Sequence, residues 1–191
     1  MKFFQLLPFS LLMAGCSVLK PIDDEPVRHL LESSVPARVP TLSSPVIAIA
    51  RPSLPPYLER TELVTRTGNG QLKIHENDLW SEPLDAAIAR VMAENLRHRT
   101  GSTNIQPSGS FINQEYSSVV EIRIDRFDPS SEGVLLLECT WKAQAVQGGD
   151  ASARVFRTEV AFDPSVDLMS RRIVAMNEAL SRLAREIAKV L

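Results

Sequence analysis

The sequence predicts an α/β domain of the α+β kind: a curved, mainly antiparallel sheet covered by two amphipathic helices. Three observations carry this. Between Val120 and Phe162, three stretches alternate apolar and polar residues with the period of a half-buried strand. Two other stretches, one opening near Leu84 and one running to Leu191, repeat apolar residues every three or four positions. Gly-, Asn-, Asp- and Ser-rich clusters punctuate the segments between them. A sheet with one apolar face needs a covering layer, and the two helices supply it.

The first element is an address rather than a fold. Lys2 precedes an apolar run, Phe3 to Met13, that is too short for the roughly 20 residues of a membrane span but suits a secretory signal. It ends in Leu12-Met13-Ala14-Gly15-Cys16, a stretch that resembles the bacterial lipobox, with Met13 where leucine is commonest. Residues 1–15 therefore read as a lipoprotein signal peptide, and Cys16 as the lipidated residue. Several acyl chains on Cys16 would anchor the protein stably, where a single chain is marginal. Ser17 follows the cysteine in place of the aspartate associated with inner-membrane retention, which implies the outer membrane.

Residues 16–45 read as the lipidated cysteine and a tether. Pro21, Pro26, Pro36, Pro40 and Pro45 remove donors and favour extended backbone. Fully extended, such a spacer reaches about 90 Å. Within it, only His29-Leu30-Leu31 suggests a short strand.

Residues 46–191 read as a single domain. Val46 to Ala50 is a short apolar run suited to a buried strand. Leu63–Thr67 and Leu72–Glu76 flank Gly68-Asn69-Gly70, a hairpin signal because those residues accept positive φ. Ser81 precedes a helix with Leu84, Ile88, Val91, Met92 and Leu96 on one face. Glu82 and Asp85 fall in its first turn and Arg97, His98 and Arg99 in its last, before Gly101, so charge complements the helix dipole. A three-strand meander follows, turning at Asp128-Pro129-Ser130-Ser131-Glu132-Gly133 and at Gly148-Gly149-Asp150. Cys139 alternates onto its apolar side and reads as a buried small hydrophobe.

The last helix spans about Val166 to Leu191. Met169, Ile173, Met176, Leu180, Leu183, Ile187 and Val190 form its stripe. That stripe suits packing on the protein's own sheet, and its near-heptad spacing also leaves room for a homo-oligomer contact.

Several function classes are disfavoured. With 21 basic and 23 acidic residues and a net charge of −2, the chain has no basic face for nucleic acid. His29, His75 and His98 form no metal-ligand spacing, so no metal is expected. No GxSxG elbow, phosphate-binding loop or dinucleotide fingerprint occurs, and the carboxylate run Asp23-Asp24-Glu25 lies in the tether. No catalytic residue, no cofactor and no enzymatic activity are expected.

One pair of stretches is specific: Leu54-Pro55-Pro56-Tyr57-Leu58-Glu59-Arg60, then Leu79-Trp80-Ser81-Glu82-Pro83-Leu84. With the lipobox before them, they resemble the ABC-type transport auxiliary lipoproteins, the family of paraquat-inducible protein C. Its members typically read LPxYLDR and then RWAEPL, so Glu59, Leu79 and Ser81 are departures. The resemblance implies a compact α/β fold and work beside mammalian-cell-entry (MCE) domain proteins that carry lipid between membranes. It marks Leu54, Pro55, Tyr57, Leu58, Arg60, Trp80, Glu82 and Pro83 as motif residues that either pack the fold or meet a partner. The alternatives are a stand-alone lipid-binding or envelope-assembly lipoprotein and, further off, a periplasmic enzyme.

Overall fold

The computed structural model describes residues 25–39, 45–110, 115–148, 152–165 and 169–191. The leader, Cys16 and Ser17 lie outside these residues. So do most of Gly148-Gly149-Asp150 and the expected first turn of the last helix.

In chain order the elements are β1 (Val27–His29), β2 (Ile47–Ile49), a 3₁₀ turn (Pro56–Leu58), β3 (Glu62–Arg66), β4 (Leu72–Trp80), α1 (Leu84–Thr100), β5 (Ile105–Pro107), β6 (Ser118–Pro129), β7 (Val134–Ala145), β8 (Arg154–Ala161) and α2 (Met169–Ile187). The α+β class holds. The strands divide into two sheets, β1-β4-β3 and β5-β2-β6-β7-β8, and both are mixed. β1 runs parallel to β4, and β2 runs parallel to both β5 and β6. The remaining pairings are antiparallel, as the meander and the hairpin predict.

Local chemistry explains the elements. Asn69 at φ 62° and Gly70 at φ 76° turn the β3–β4 connection in the left-handed region, where glycine and asparagine carry the least strain. At the β6–β7 turn Gly133 has φ +85°, and a Cβ there would meet the Phe162 carbonyl at 2.5 Å. Only glycine fits. α1 begins later than its charge pattern suggests. Pro83 is its N-cap, without a side-chain bond, so Ser81 does not cap it and Glu82 stands before the first turn. The helix ends as expected, with Gly101 at φ 73° and its N–H donating to the Arg97 carbonyl.

The core lies between the five-stranded sheet and both helices. Leu135, Leu137, Cys139 and Trp141 face inward along β7, each almost fully buried. Opposite them stand Met169, Ile173, Met176, Leu180, Leu183 and Ile187 of α2, so the stripe packs on the protein's own fold. α1 is covered on more than one side, which explains its three small residues Ala87, Ala89 and Ala93 beside Ile88 and Met92.

Burial pushes the Cys139 thiol up to about 12, with a smaller contribution from Asp125. Because the thiolate is the reactive form, alkylation at pH 8 is expected to be at least about a hundredfold slower in the native protein than in urea, read by mass spectrometry of the Cys139 peptide.

The packed domain starts well before residue 46. β1 joins β4, and Leu31 is 0% exposed. Beyond it, Ser33 Oγ donates to Asn95 Oδ1 of α1 at 2.7 Å, and the Glu32 N–H donates to Asn177 Oδ1 of α2 at 3.0 Å. The Arg90 guanidinium donates to the Leu31 carbonyl at 2.8 Å. Residues 27–35 therefore form a strap across both helices rather than part of a spacer. The proline content conceals this, because only its first three residues are held by a strand ladder and the rest by side chains of α1 and α2.

Candidate functional site

The two specific stretches meet in space. Pro55 fixes the backbone entering the 3₁₀ turn, which places Leu58 in the core at 3% exposure and directs the chain into β3. β4 then returns antiparallel and ends on Trp80, whose N–H donates to the Thr61 carbonyl at 2.7 Å. Between these segments opens a cleft of about 530 Å³. Leu54, Leu58, Arg60, Trp80, Glu82 and Pro83 line it, with Pro52, Thr61 and Leu84 completing the walls.

Two of the expected residues are used elsewhere. Pro55 sits behind the cleft as the turn's N-cap. Tyr57 points the other way: its hydroxyl donates to Asp128 Oδ1 at 2.6 Å, and the Arg66 guanidinium lies 5.5 Å from its ring centre. Asp128 is 0% exposed and is also held by two Arg66 bonds of 2.9 and 3.0 Å and by Arg126 Nε at 3.3 Å. Burial, then Asp128, pushes the Tyr57 hydroxyl up to about 12, and the hydrogen bond to Asp128 raises Arg66 above its ordinary range. Tyr57 and Trp80 are thus packing anchors, Trp80 being 6% exposed.

The charges around the cleft are mostly neutralised from within. Glu82 accepts from Arg90 Nε at 3.1 Å, Arg60 donates to Glu62 at 3.1 Å, and Asp85 faces Arg51 at 3.4 Å. Among the described residues, Arg28 and Glu59 are the cleft charges left without an ion-pair partner, and both are exposed. The cleft therefore presents one free cation and one free anion above a floor of proline, leucine and tryptophan. Such a surface suits recognition of a partner.

Sequence reasoning missed Arg28, because β1 lay inside the supposed tether, and it passed over Glu59, which stands in the motif itself. The histidines are not isolated in the fold. His29 Nε2 lies 2.7 Å from Asp78 Oδ1, His75 Nδ1 lies 4.0 Å from Asp78 Oδ2, and Thr65 meets His75 Nε2 at 2.9 Å. These contacts tie β1, β3 and β4 together. Among the described residues no group of three histidine, cysteine or acidic side chains is arranged to hold a metal. No described helix is long and apolar enough to cross a membrane.

Comparison with known proteins gives a family and a fold. The model of the ABC-type transport auxiliary lipoprotein component family matches residues 29–188. No curated protein matches the chain. The crystal structure of an uncharacterised protein is similar at a TM-score of 0.69 with 17% identity, covering 86% of this chain and 97% of that one. The crystal structure of protein XCC0632 from Xanthomonas campestris, of family DUF330, is similar at 0.66 with 14% identity, covering 84% and 92%.

Proposed function

This chain belongs to the family of ABC-type transport auxiliary lipoprotein components, and from that premise we propose that it is the outer-membrane-anchored docking piece of an MCE-linked intermembrane lipid transport system. The observation that carries the reading is the cleft where the two motif stretches converge. Its apolar floor offers an anchor site for a partner's side chains, and Arg28 and Glu59 offer charges without an ion-pair partner among the described residues. Tyrosine, tryptophan and arginine are the usual carriers of interface energy, but here Tyr57 lies behind the cleft and Trp80 is a largely buried part of its floor. Specificity falls to the exposed charges, which select partners more than they add affinity.

The lipid on Cys16 holds the domain at the periplasmic face of the outer membrane, with Ser17 as the sorting signal. The chain between Cys16 and Val27 spans at most about 36 Å at 3.3 Å per residue. The cleft is therefore held within a short radius of the bilayer.

The test starts from outer membranes separated on a density gradient and solubilised in mild detergent. The wild-type protein is expected in that fraction and should co-purify an MCE-domain protein. Cys16→Ser should be released from the membrane. Arg28→Glu combined with Glu59→Lys should reduce recovered partner at least about tenfold, while the melting temperature stays within about 1 °C because both positions are on the surface. Recovery of no MCE-domain protein with the wild type would overturn the reading. Undiminished recovery with the charge-reversed variant would remove the cleft from it.

A further inference from the structure

The three-stranded sheet ends in an open edge beside the cleft. β1 is its outer strand and is paired with β4 on one side. The Ser81 N–H donates to the His29 carbonyl at 2.9 Å, so that carbonyl is turned toward β4. Across the trans peptide that follows, the Leu30 N–H points the opposite way. In a parallel ladder alternate residues bond the same neighbour, so the N–H and C=O of Arg28 also point away from β4. None of these three groups has a hydrogen-bond partner among the described residues.

The other edge strands are guarded. On β3 the Arg66 carbonyl accepts the Ser131 N–H at 2.8 Å, on β5 the Ile105 carbonyl accepts from Arg97 at 2.7 Å, and on β8 the Glu159 carbonyl accepts from Arg182 at 2.9 Å. Each guard puts a donor of this chain where a further strand would bond. Among the described residues β1 carries none. Its side chains are equally open: Val27 is 55% exposed, Leu30 is 48% exposed, and Arg28 has no ion-pair partner among the described residues.

We propose that an extended segment of the docked partner pairs with β1 and adds a fourth strand to the β1-β4-β3 sheet. The proposal rests on the docking reading and says how the partner is gripped. Charge selects the segment. Opposite charges facing each other across a strand pair stabilise it and like charges oppose it, so the residue facing Arg28 is acidic. Its neighbours are apolar, because they cover Val27 and Leu30. Backbone pairing supplies affinity and the alternating side chains supply specificity, the division found in strand addition. Arg28 also lines the cleft, so the same segment passes its rim.

A library of short random peptides displayed on phage, selected against the full chain in detergent, tests the edge without the partner. Selected sequences should carry an acidic residue with apolar neighbours. With one of them bound as a synthetic peptide, exchange of the Arg28 and Leu30 amide hydrogens should slow at least about tenfold by NMR. Arg28→Pro deletes the outward N–H, a change that edge strands tolerate. It should weaken peptide binding at least about tenfold and move the melting temperature by less than about 2 °C. Arg28→Glu keeps the N–H and should turn the selected charge to basic. Should Arg28→Pro fail to fold, the exchange measurement on the wild type decides.

Three results would each overturn the proposal. One is failure to enrich any such peptide. Another is a set of selected peptides that leave both amides exchanging as in the free protein. The third is peptide binding undiminished in a folded Arg28→Pro variant. Partner recovery separates the proposal from the docking reading. An MCE-domain protein that co-purifies yet leaves both amides unprotected keeps the dock and removes the added strand. Absence of an MCE-domain protein, with peptides still protecting those amides, removes that partner and keeps the added strand.

Discussion

Replacing Asp128 with alanine is expected to destabilise the fold by about 3–5 kcal/mol, the range for removing one partner of a buried ion pair. The carboxylate has no contact with water, so its stabilisation comes entirely from Arg66, Arg126 and the Tyr57 hydroxyl. Removing it leaves the Arg66 and Arg126 guanidinium groups, 25% and 30% exposed, without their shared carboxylate and facing the cavity it leaves. It also unties Tyr57 from behind the cleft, and β3 from β6. A domain of this size loses about 2–4 °C per kcal/mol, so the melting temperature should fall by about 10 °C. A fall of less than about 3 °C would show that water replaces the carboxylate and that the network is dispensable.

The same network sets an alkaline limit. Because the folded Tyr57 value is raised to about 12 from an ordinary value near 10, the fold favours the neutral hydroxyl. Its contribution is fully present below about pH 10 and is lost as the pH rises through about 12. Tyr57→Phe should flatten that part of the stability curve, as read by urea unfolding at successive pH values.

Leu31→Ala is expected to cost about 3 kcal/mol, within the range for truncating a buried leucine. If residues 16–45 were a spacer throughout, the change would fall within about 0.5 kcal/mol, as for other surface positions. Leu31 is instead fully buried in the main core, and the segment after it is bonded to both helices. Chemical denaturation of the full chain decides the matter. A midpoint shift at unchanged slope is the expected form, because the unfolded ensemble is the same.

What could be read beforehand follows from which signals repeat. The stripe of α2 recurs often enough to reveal both the element and its buried face, and all six of its residues from Met169 to Ile187 are buried. The meander and the Gly68-Asn69-Gly70 turn were legible for the same reason, since alternation over eight to twelve residues is hard to produce by chance. Three-residue strands have no period. β2 was legible as the apolar run Val46 to Ala50 and β1 as the short strand suggested at His29-Leu30-Leu31, but β5 was not read, and the parallel pairing of all three with distant segments leaves no local trace.

Asp128 shows a different limit. In the sequence it opens Asp-Pro-Ser-Ser-Glu-Gly and looks like a turn residue. In the fold it is the last buried polar group of β6, and Arg66, its main partner, lies 62 positions away. The motif stretches announced a specific place, but not which side chains face outward. Tyr57 and Trp80 drew attention as aromatic residues, while Glu59 was noted only as a departure from the motif and Arg28 was not singled out.

The strap has a mechanical consequence. β1 lies parallel to β4, and on the lipidation proposed for Cys16 the anchor precedes β1 in the chain. A pull on the lipid along the strand axis therefore loads the β1–β4 hydrogen bonds and the His29–Asp78 contact together, in shear, rather than peeling them one at a time. Arg28 sits in the middle of that strand and at the edge of the cleft. On the proposed docking role, tension between membrane and partner would thus pass through a single short strand, which would be both the mooring point and a wall of the dock.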